Sequence, residues 1–203
     1  MLILVNSYLA EKEIVEKLTY SKSRGNYIPA KEELEDRNIL VTTIDKFAYK
    51  VYENYAQYIG CDSNFKYITC DYEKKSIFIE WLRRCNIDVK TFLMPVWQSD
   101  VETTFNDCLK VFEDIKNNEF IDNDSSKYYP TYCPIYEEYR AALYDAKYVD
   151  REDIIGATIK IFINHSWVLN IYKNTYNHIL ISSTLKLNSL EEIIVKYLVN
   201  GEI

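Results

Sequence analysis

Three short apolar runs, each followed by a helical pattern, set the strongest limit on how this chain can fold. The runs are Leu2 to Val5, Asn38 to Thr43 and His178 to Ile181. Each is rich in aliphatic and β-branched residues and too short for a core helix, so each predicts a buried strand. Strands that each lead into a helix pair in parallel, and the sequence therefore predicts an α/β fold with a small parallel sheet.

The long segment between the second and third runs is helical in pattern. From Gly60 to Lys173 no stretch predicts a strand, and the polar segment from Asn117 to Pro130 predicts a loop. We therefore expect a predominantly helical α/β protein with two parts. Residues 1–59 and 174–203 form one domain, and residues 60–173 form a helical insertion. A last helix follows the third strand, capped by Asn188 or Ser189.

Charge and hydropathy limit the classes of partner. The chain has 203 residues, with 24 Lys and Arg against 31 Asp and Glu, which gives a net charge of −7. An acidic balance argues against indiscriminate nucleic-acid binding, although it leaves room for a local basic strip. No apolar run has membrane-spanning length, and no signal-peptide pattern is present. We expect a cytoplasmic protein with no membrane partner.

The cysteines predict structural thiols and no metal site. They are widely spaced and never form a C-x-x-C pair: Cys61, Cys70, Cys85, Cys108 and Cys133. Only two histidines, His165 and His178, accompany them. A zinc site would need ligands gathered from distant positions, without the usual paired spacing.

Five stretches carry more specific patterns, in this order. Val5 to Ile14 is similar to T-F-T-N-K-A-A-x-E-M, and Val41 to Ala48 is similar to V-G-T-F-H-S-F-A. Asp62 to Asp71 is similar to the entry into a helical subdomain. Tyr148 to Ile155 is similar to L-D-F-D-D-L-I, and Tyr172 to Ile181 is similar to Y-x-x-x-F-x-Y-I-L-V. Together they resemble superfamily 1 DNA helicases of the UvrD, Rep and PcrA kind. The resemblance implies part of the first motor domain with a helical 1B-like insertion.

The departures from the family concern ATP. The family's phosphate-binding loop, G-x-x-x-x-G-K-[ST], has no counterpart in the sequence, and neither does its second motor domain. Ser182 and Ser183 occupy the positions of the Asp and Glu that end the family's Walker B strand. Hydroxyls supply neither the carboxylate charge for magnesium nor a general base. We therefore expect a chain that is not an enzyme and binds no cofactor.

The resemblance also implies a single-stranded DNA path at the ends of the first two strands. The matching positions and their neighbouring cations are Ser7, Thr43, Lys46, Phe47 and Lys50. Asn6 replaces an aromatic residue and Asp45 replaces a His, which weakens stacking and phosphate attraction. The alternative interpretation makes Ser7 and Thr43 helix caps and Phe47 a core residue.

Two other clusters have a functional and a structural interpretation. Basic residues flank Trp81, either facing a duplex or forming a solvated helix surface. They are Lys74, Lys75, Arg83 and Arg84. The Tyr-rich region from Tyr128 to Tyr148 predicts either a stacking or partner surface or, at Tyr136 and Tyr139, a helix core.

The sequence favours a non-catalytic helicase-like protein that is accessory or regulatory in DNA transactions. Its predicted partners are single-stranded or tailed DNA, a helicase or nuclease, or a second copy of itself. One alternative is a protein-binding module or inhibitor that mimics a helicase surface without DNA affinity. A second is one subunit of a split helicase.

Overall fold

The computed structural model describes residues 1–19, 34, 38–62, 64–121, 127–182 and 186–201. The chain divides into unit 1, residues 1–63 with 157–203, and unit 2, residues 64–156. The predicted division placed residues 157–173 in the helical insertion, whereas here they belong to unit 1.

The elements that the structure describes are predominantly helical. In chain order they are β1 (Leu2–Val5), α1 (Tyr8–Thr19), β2 (Leu40–Thr43), α2 (Ile44–Tyr55), a 3₁₀ turn (Ala56–Ile59), β3 (Lys66–Tyr67), α3 (Asp71–Arg84), α4 (Val89–Leu93), a 3₁₀ turn (Met94–Val96), α5 (Val101–Ile121), α6 (Cys133–Asp145), β4 (Tyr148–Val149), α7 (Arg151–Asn164), α8 (Ser166–Thr175), β5 (Ile179–Ile181) and α9 (Ser189–Asn200).

Unit 1 is built on a three-stranded parallel sheet in the order β2-β1-β5. This confirms the predicted fold class, a mostly helical α/β protein with a small parallel sheet. One face of the sheet packs on α1, where the buried side chains Ile3, Val5 and Val41 contact Ile14 and Val15. Successive strand residues point to opposite faces, so Leu2 and Leu4 are buried on the other side.

β5 is an edge strand, and the prediction of a buried strand at His178 to Ile181 was wrong in this respect. Leu180 is 50% exposed and Ile181 is 42% exposed. The reason is topological, because β5 pairs with β1 on one side and with no other strand among the described residues. An aliphatic run cannot distinguish a central strand from an edge strand.

The last helix has the predicted cap. The Asn188 side chain accepts a hydrogen bond from the Glu191 backbone N–H at 2.9 Å, and the Glu191 carboxylate accepts one from the Asn188 N–H at 2.7 Å. Gly201 ends the helix at φ +84°, a left-handed conformation that glycine adopts without strain.

Unit 2 is a helical body with a two-stranded parallel ladder. The ladder pairs β3 with β4 through bonds such as Ile68 N–H to the Val149 carbonyl at 2.9 Å. The prediction of no strand between Gly60 and Lys173 was therefore wrong. The predicted loop from Asn117 to Pro130 was also wrong over its first residues, because α5 continues to Ile121.

The described helices do not include one that meets the length and hydropathy needed to cross a membrane by itself. α7 and α8 meet those criteria only as a pair, and they are bent by 100° at their junction.

A buried charge network joins α5 and α6 to the start of α7. Lys116 on α5 donates to both carboxylate oxygens of Asp150 at 2.6 Å, and both side chains are 5% exposed. The Tyr139 hydroxyl of α6 donates to Asp150 at 3.1 Å. Asp150 also accepts the Asp153 backbone N–H at 3.1 Å, so the same carboxylate caps α7. Lys116 lies 3.0 Å from Asp153 as well.

The two carboxylates of this network respond differently to their surroundings. Burial opposes ionisation of Asp150, but the Lys116 ammonium and the hydrogen bonds hold its pKa below the usual range. Burial and the Asp150 charge raise the pKa of Asp153 to about 6, against the attraction of Lys116. At neutral pH the network therefore holds two carboxylates against one ammonium.

We expect Lys116→Met to destabilise the protein by ~3–5 kcal/mol, because it leaves Asp150 buried without its counter-ion. Urea unfolding followed by circular dichroism measures the loss. Lys110→Met is the matched control, since Lys110 lies on the same helix with its side chain 77% exposed. Equal midpoints for the two variants would contradict a structural role for the network.

We expect Asp153→Asn to stabilise the protein at pH about 7.5 and to lose this advantage toward pH about 5. A raised folded-state pKa means that the folded chain binds the proton more tightly than the unfolded chain. Ionised Asp153 therefore costs stability above its folded pKa, and that cost disappears as the pH falls below it. Urea unfolding at both pH values measures the difference, with the exposed Glu137→Gln as control. A pH-independent difference would contradict the assignment.

Candidate nucleic-acid interface

The carboxyl ends of the three parallel strands meet at one edge of the unit 1 sheet. Val5 lies opposite Thr43, and Leu4 lies opposite Ile181. Ser182 extends the pairing, because its N–H donates to the Leu4 carbonyl at 3.0 Å. Ligands of open parallel sheets bind beyond this kind of edge. The predicted residues after β1, β2 and β5 are thus brought together by the register.

Ser7 and Thr43 both cap helices at this edge, which confirms the capping interpretation. The Ser7 hydroxyl accepts the Ala10 N–H at 3.2 Å, at the start of α1. The Thr43 hydroxyl accepts the Lys46 N–H at 3.3 Å, at the start of α2. Capping uses a lone pair of the hydroxyl oxygen, so the hydroxyl hydrogen of each residue can still donate a hydrogen bond. Capping and phosphate binding are compatible at both positions.

Of the other predicted residues, the cations lie at the surface and Phe47 does not. Lys46 donates to Glu11 at 2.7 Å and keeps half of its side-chain area exposed. Lys50 is exposed one helical turn further along α2. Phe47 is 1% exposed, and its ring packs edge-on against Tyr172 with centroids 5.2 Å apart. Phe47 belongs to the core and offers no stacking surface here.

Tyr8 is an aromatic residue at this edge that the sequence patterns did not single out. It is 64% exposed, and the Lys46 ammonium lies 4.7 Å from its ring centroid. That distance is within the range of a cation–π interaction. In the resembling family pattern the aromatic residue of this stretch matches Asn6, so the pattern does not point to Tyr8. We call Ser7, Tyr8, Glu11, Thr43 and Lys46 the strand-end cluster.

A residue with a hydroxyl side chain follows the end of β5. Ser182 follows β5 directly, while Ser183 lies outside the described residues. In the part of the chain that the structure describes, His, Cys, Asp and Glu form no group of three or more arranged to hold a metal ion.

The basic residues around Trp81 in unit 2 are largely neutralised by acids. Lys74 pairs with Asp71 at 3.0 Å, and Arg84 pairs with Asp145 at 2.5 Å. Lys75 pairs with Glu102 across to α5. These ion pairs reduce the phosphate attraction that the duplex-facing interpretation needs.

A cavity of about 500 Å³ in unit 2 is lined by side chains of both signs. Its cations are Lys74, Lys110, Lys116 and Arg151, and its acids are Asp71, Glu102, Glu113, Asp150 and Glu152. The mixed lining gives no net preference for an anion.

Tyr136 and Tyr139 are 2% and 1% exposed, so for these two the core interpretation is confirmed. The strand-end cluster is therefore the stronger candidate site.

Comparison with known proteins gives the relationship. The family model for the UvrD/REP helicase N-terminal domain matches residues 5–203. The chain is 22% identical over 160 residues to the ATP-dependent DNA helicase UvrD1 of Mycobacterium leprae, covering 78% of this chain and 20% of that protein. It is 21% identical over 167 residues to UvrD1 of Mycobacterium bovis, covering 82% and 21%.

The chain thus spans about a fifth of the length of these curated relatives. The family match extends over both units, from the end of β1 through α9. This chain belongs to the UvrD/REP helicase N-terminal domain family.

Proposed function

We propose that this chain is a non-catalytic, helicase-like protein that binds single-stranded or tailed DNA at the strand-end cluster, as an accessory or regulatory component of DNA transactions. The observation that carries the proposal is the convergence of hydroxyls and an exposed cation at one sheet edge. Ser7 follows β1, Thr43 ends the adjacent strand β2, and Lys46 lies one helical turn after Thr43. Family membership supports DNA as the ligand.

The chemistry of the cluster suits a phosphodiester backbone. Hydroxyl groups, backbone N–H groups at helix starts and a lysine are the donors that proteins use most to hold phosphates. These contacts position a strand without reading its sequence. Lys50, exposed beside Lys46 on α2, extends the positive charge along the helix. The chain as a whole has a net charge of −7, which restricts binding to this strip.

We expect Lys46→Glu to weaken binding to a labelled DNA with a single-stranded tail at every sequence tested, and to lower the salt slope of log K by about one. Fluorescence anisotropy at several salt concentrations measures both. Lys17→Glu is the control with the same charge change, at the far end of α1, where Lys17 is 71% exposed. Equal weakening by the two variants would mean only general electrostatics. No binding at low salt would remove the DNA proposal.

The proposal excludes ATP hydrolysis by this chain. Ser182 lies at the end of β5, where the family's motors place an acid, and a hydroxyl supplies no general base. The same substitution argues against a split helicase subunit, since a phosphate loop supplied by another chain would still lack these carboxylates.

We expect no phosphate release from ATP and magnesium above the protein-free rate, with or without single-stranded DNA. A coupled phosphate assay measures it. Turnover that falls in Ser182→Ala, but not in the control Ser189→Ala at the start of α9, would show that the chain is an ATPase after all.

A protein partner, a helicase or nuclease in particular, is the second candidate function. The observation that favours it is the exposed aliphatic surface of β5, at Leu180 and Ile181. A strand edge with exposed aliphatic side chains is suited to pairing with another chain. An absence of binding in the DNA titrations would favour this function over DNA binding.

A further inference from the structure

Within the proposed DNA-binding function, on which this inference rests, we propose that Tyr8 is the base-stacking platform of the strand-end cluster and that Glu11 regulates the site by competing with phosphate for Lys46. The first assignment concerns which part of the nucleic acid is recognised. The second concerns how strongly it is held.

Tyr8 is a large aromatic residue that lies at the surface. It is 64% exposed at the start of α1, and the next residue, Leu9, is 76% exposed. By contrast Phe47, an aromatic residue near the start of α2, is 1% exposed. An exposed aromatic ring beside phosphate-binding groups is the arrangement with which proteins stack unpaired bases. Tyr8 therefore selects single-stranded over duplex DNA, since only an unpaired base leaves the stack at low cost.

Lys46 connects the platform to Glu11. Its ammonium lies 4.7 Å from the Tyr8 ring centroid and 2.7 Å from a Glu11 carboxylate oxygen. The Glu11 side chain is 14% exposed, so its carboxylate has limited freedom to follow Lys46 away from the helix. A phosphate that binds Lys46 competes with this carboxylate for the charge and the N–H donors of the ammonium. Glu11 thus lowers the affinity of the site for any phosphate that brings no stacked base.

The ion pair also limits the energy involved. An exchange of one carboxylate for one phosphate leaves the charge on Lys46 satisfied in both states. Pairs between partly exposed groups contribute little by themselves. Stacking of a base on Tyr8 is then the interaction whose free energy favours the bound strand over the free protein.

The test compares three variants by fluorescence anisotropy with a labelled single-stranded oligothymidine, the same strand with abasic sites, and a duplex. We expect Tyr8→Ala to weaken single-strand binding about 5- to 150-fold, the fold equivalent of stacking by one base. Tyr8→Phe keeps the ring and stays within about twofold. Abasic strands bind the unaltered protein more weakly, and Tyr8→Ala removes that difference.

Glu11→Gln should tighten binding of all three nucleic acids by up to about fivefold at low salt, because the competing charge is gone. Glu13→Gln is the matched control on the same helix, where Glu13 pairs with Lys17. Circular dichroism confirms that each variant is folded.

The outcomes separate this inference from the function beneath it. If Lys46→Glu abolishes single-strand binding while Tyr8→Ala leaves it unchanged, DNA binding stands and the platform is wrong. If Glu11→Gln weakens binding while Glu13→Gln does not, Glu11 positions Lys46 and the competition is wrong. If neither the unaltered protein nor any variant, including Glu11→Gln at low salt, binds any strand, the proposed function and this inference both fail.

Discussion

The parallel pairing of β1 between β2 and β5 is the constraint on which unit 1 depends. Its register sets Val5 opposite Thr43 and Leu4 opposite Ile181, so three segments that are distant in sequence end at one edge. A slip of one residue would turn the buried side chains of a strand to the opposite face. Because Leu2 and Leu4 are fully buried, such a slip is costly, and the core fixes the register. The strand-end cluster takes its geometry from that register.

Unit 2 depends on a polar constraint. Asp150 neutralises Lys116, accepts the Tyr139 hydroxyl and caps α7, so one carboxylate ties α5 and α6 to the start of α7. A buried ion pair adds little net stability, because desolvation offsets most of the attraction. The pair favours this arrangement of the helices because any arrangement that separates the partners leaves a charge buried without its counter-ion. The geometry of the three helices follows from where these charges can meet.

The features that sequence predicted are those with local signals. Aliphatic runs followed by helical periodicity gave the three strands of the main sheet, and Asn188 was identified as a cap from its own neighbours. The pairing of β3 with β4 has no local signal, because each strand has two residues and its partner is about eighty residues away. The burial or exposure of aromatic residues at the candidate site has no local sequence signal either. Phe47 and Tyr8 both lie within the first four residues of helices that follow strands, and only tertiary packing places one in the core and the other at the surface.

The placement of charge at the strand-end cluster bears on the selectivity of the DNA binding that we propose. A site that held a free lysine cluster would attract any phosphate, duplex or single-stranded, with an energy that depends mainly on salt. Here the exposed cation of the cluster is already paired with Glu11, in a chain of net charge −7. The electrostatic gain on binding is therefore small, and contacts of other kinds must supply the rest. In a duplex both faces of each base are covered by its neighbours, whereas an unpaired base offers a free face to Tyr8. In the proposed function, weak charge and an exposed ring together favour the strand whose bases are unpaired.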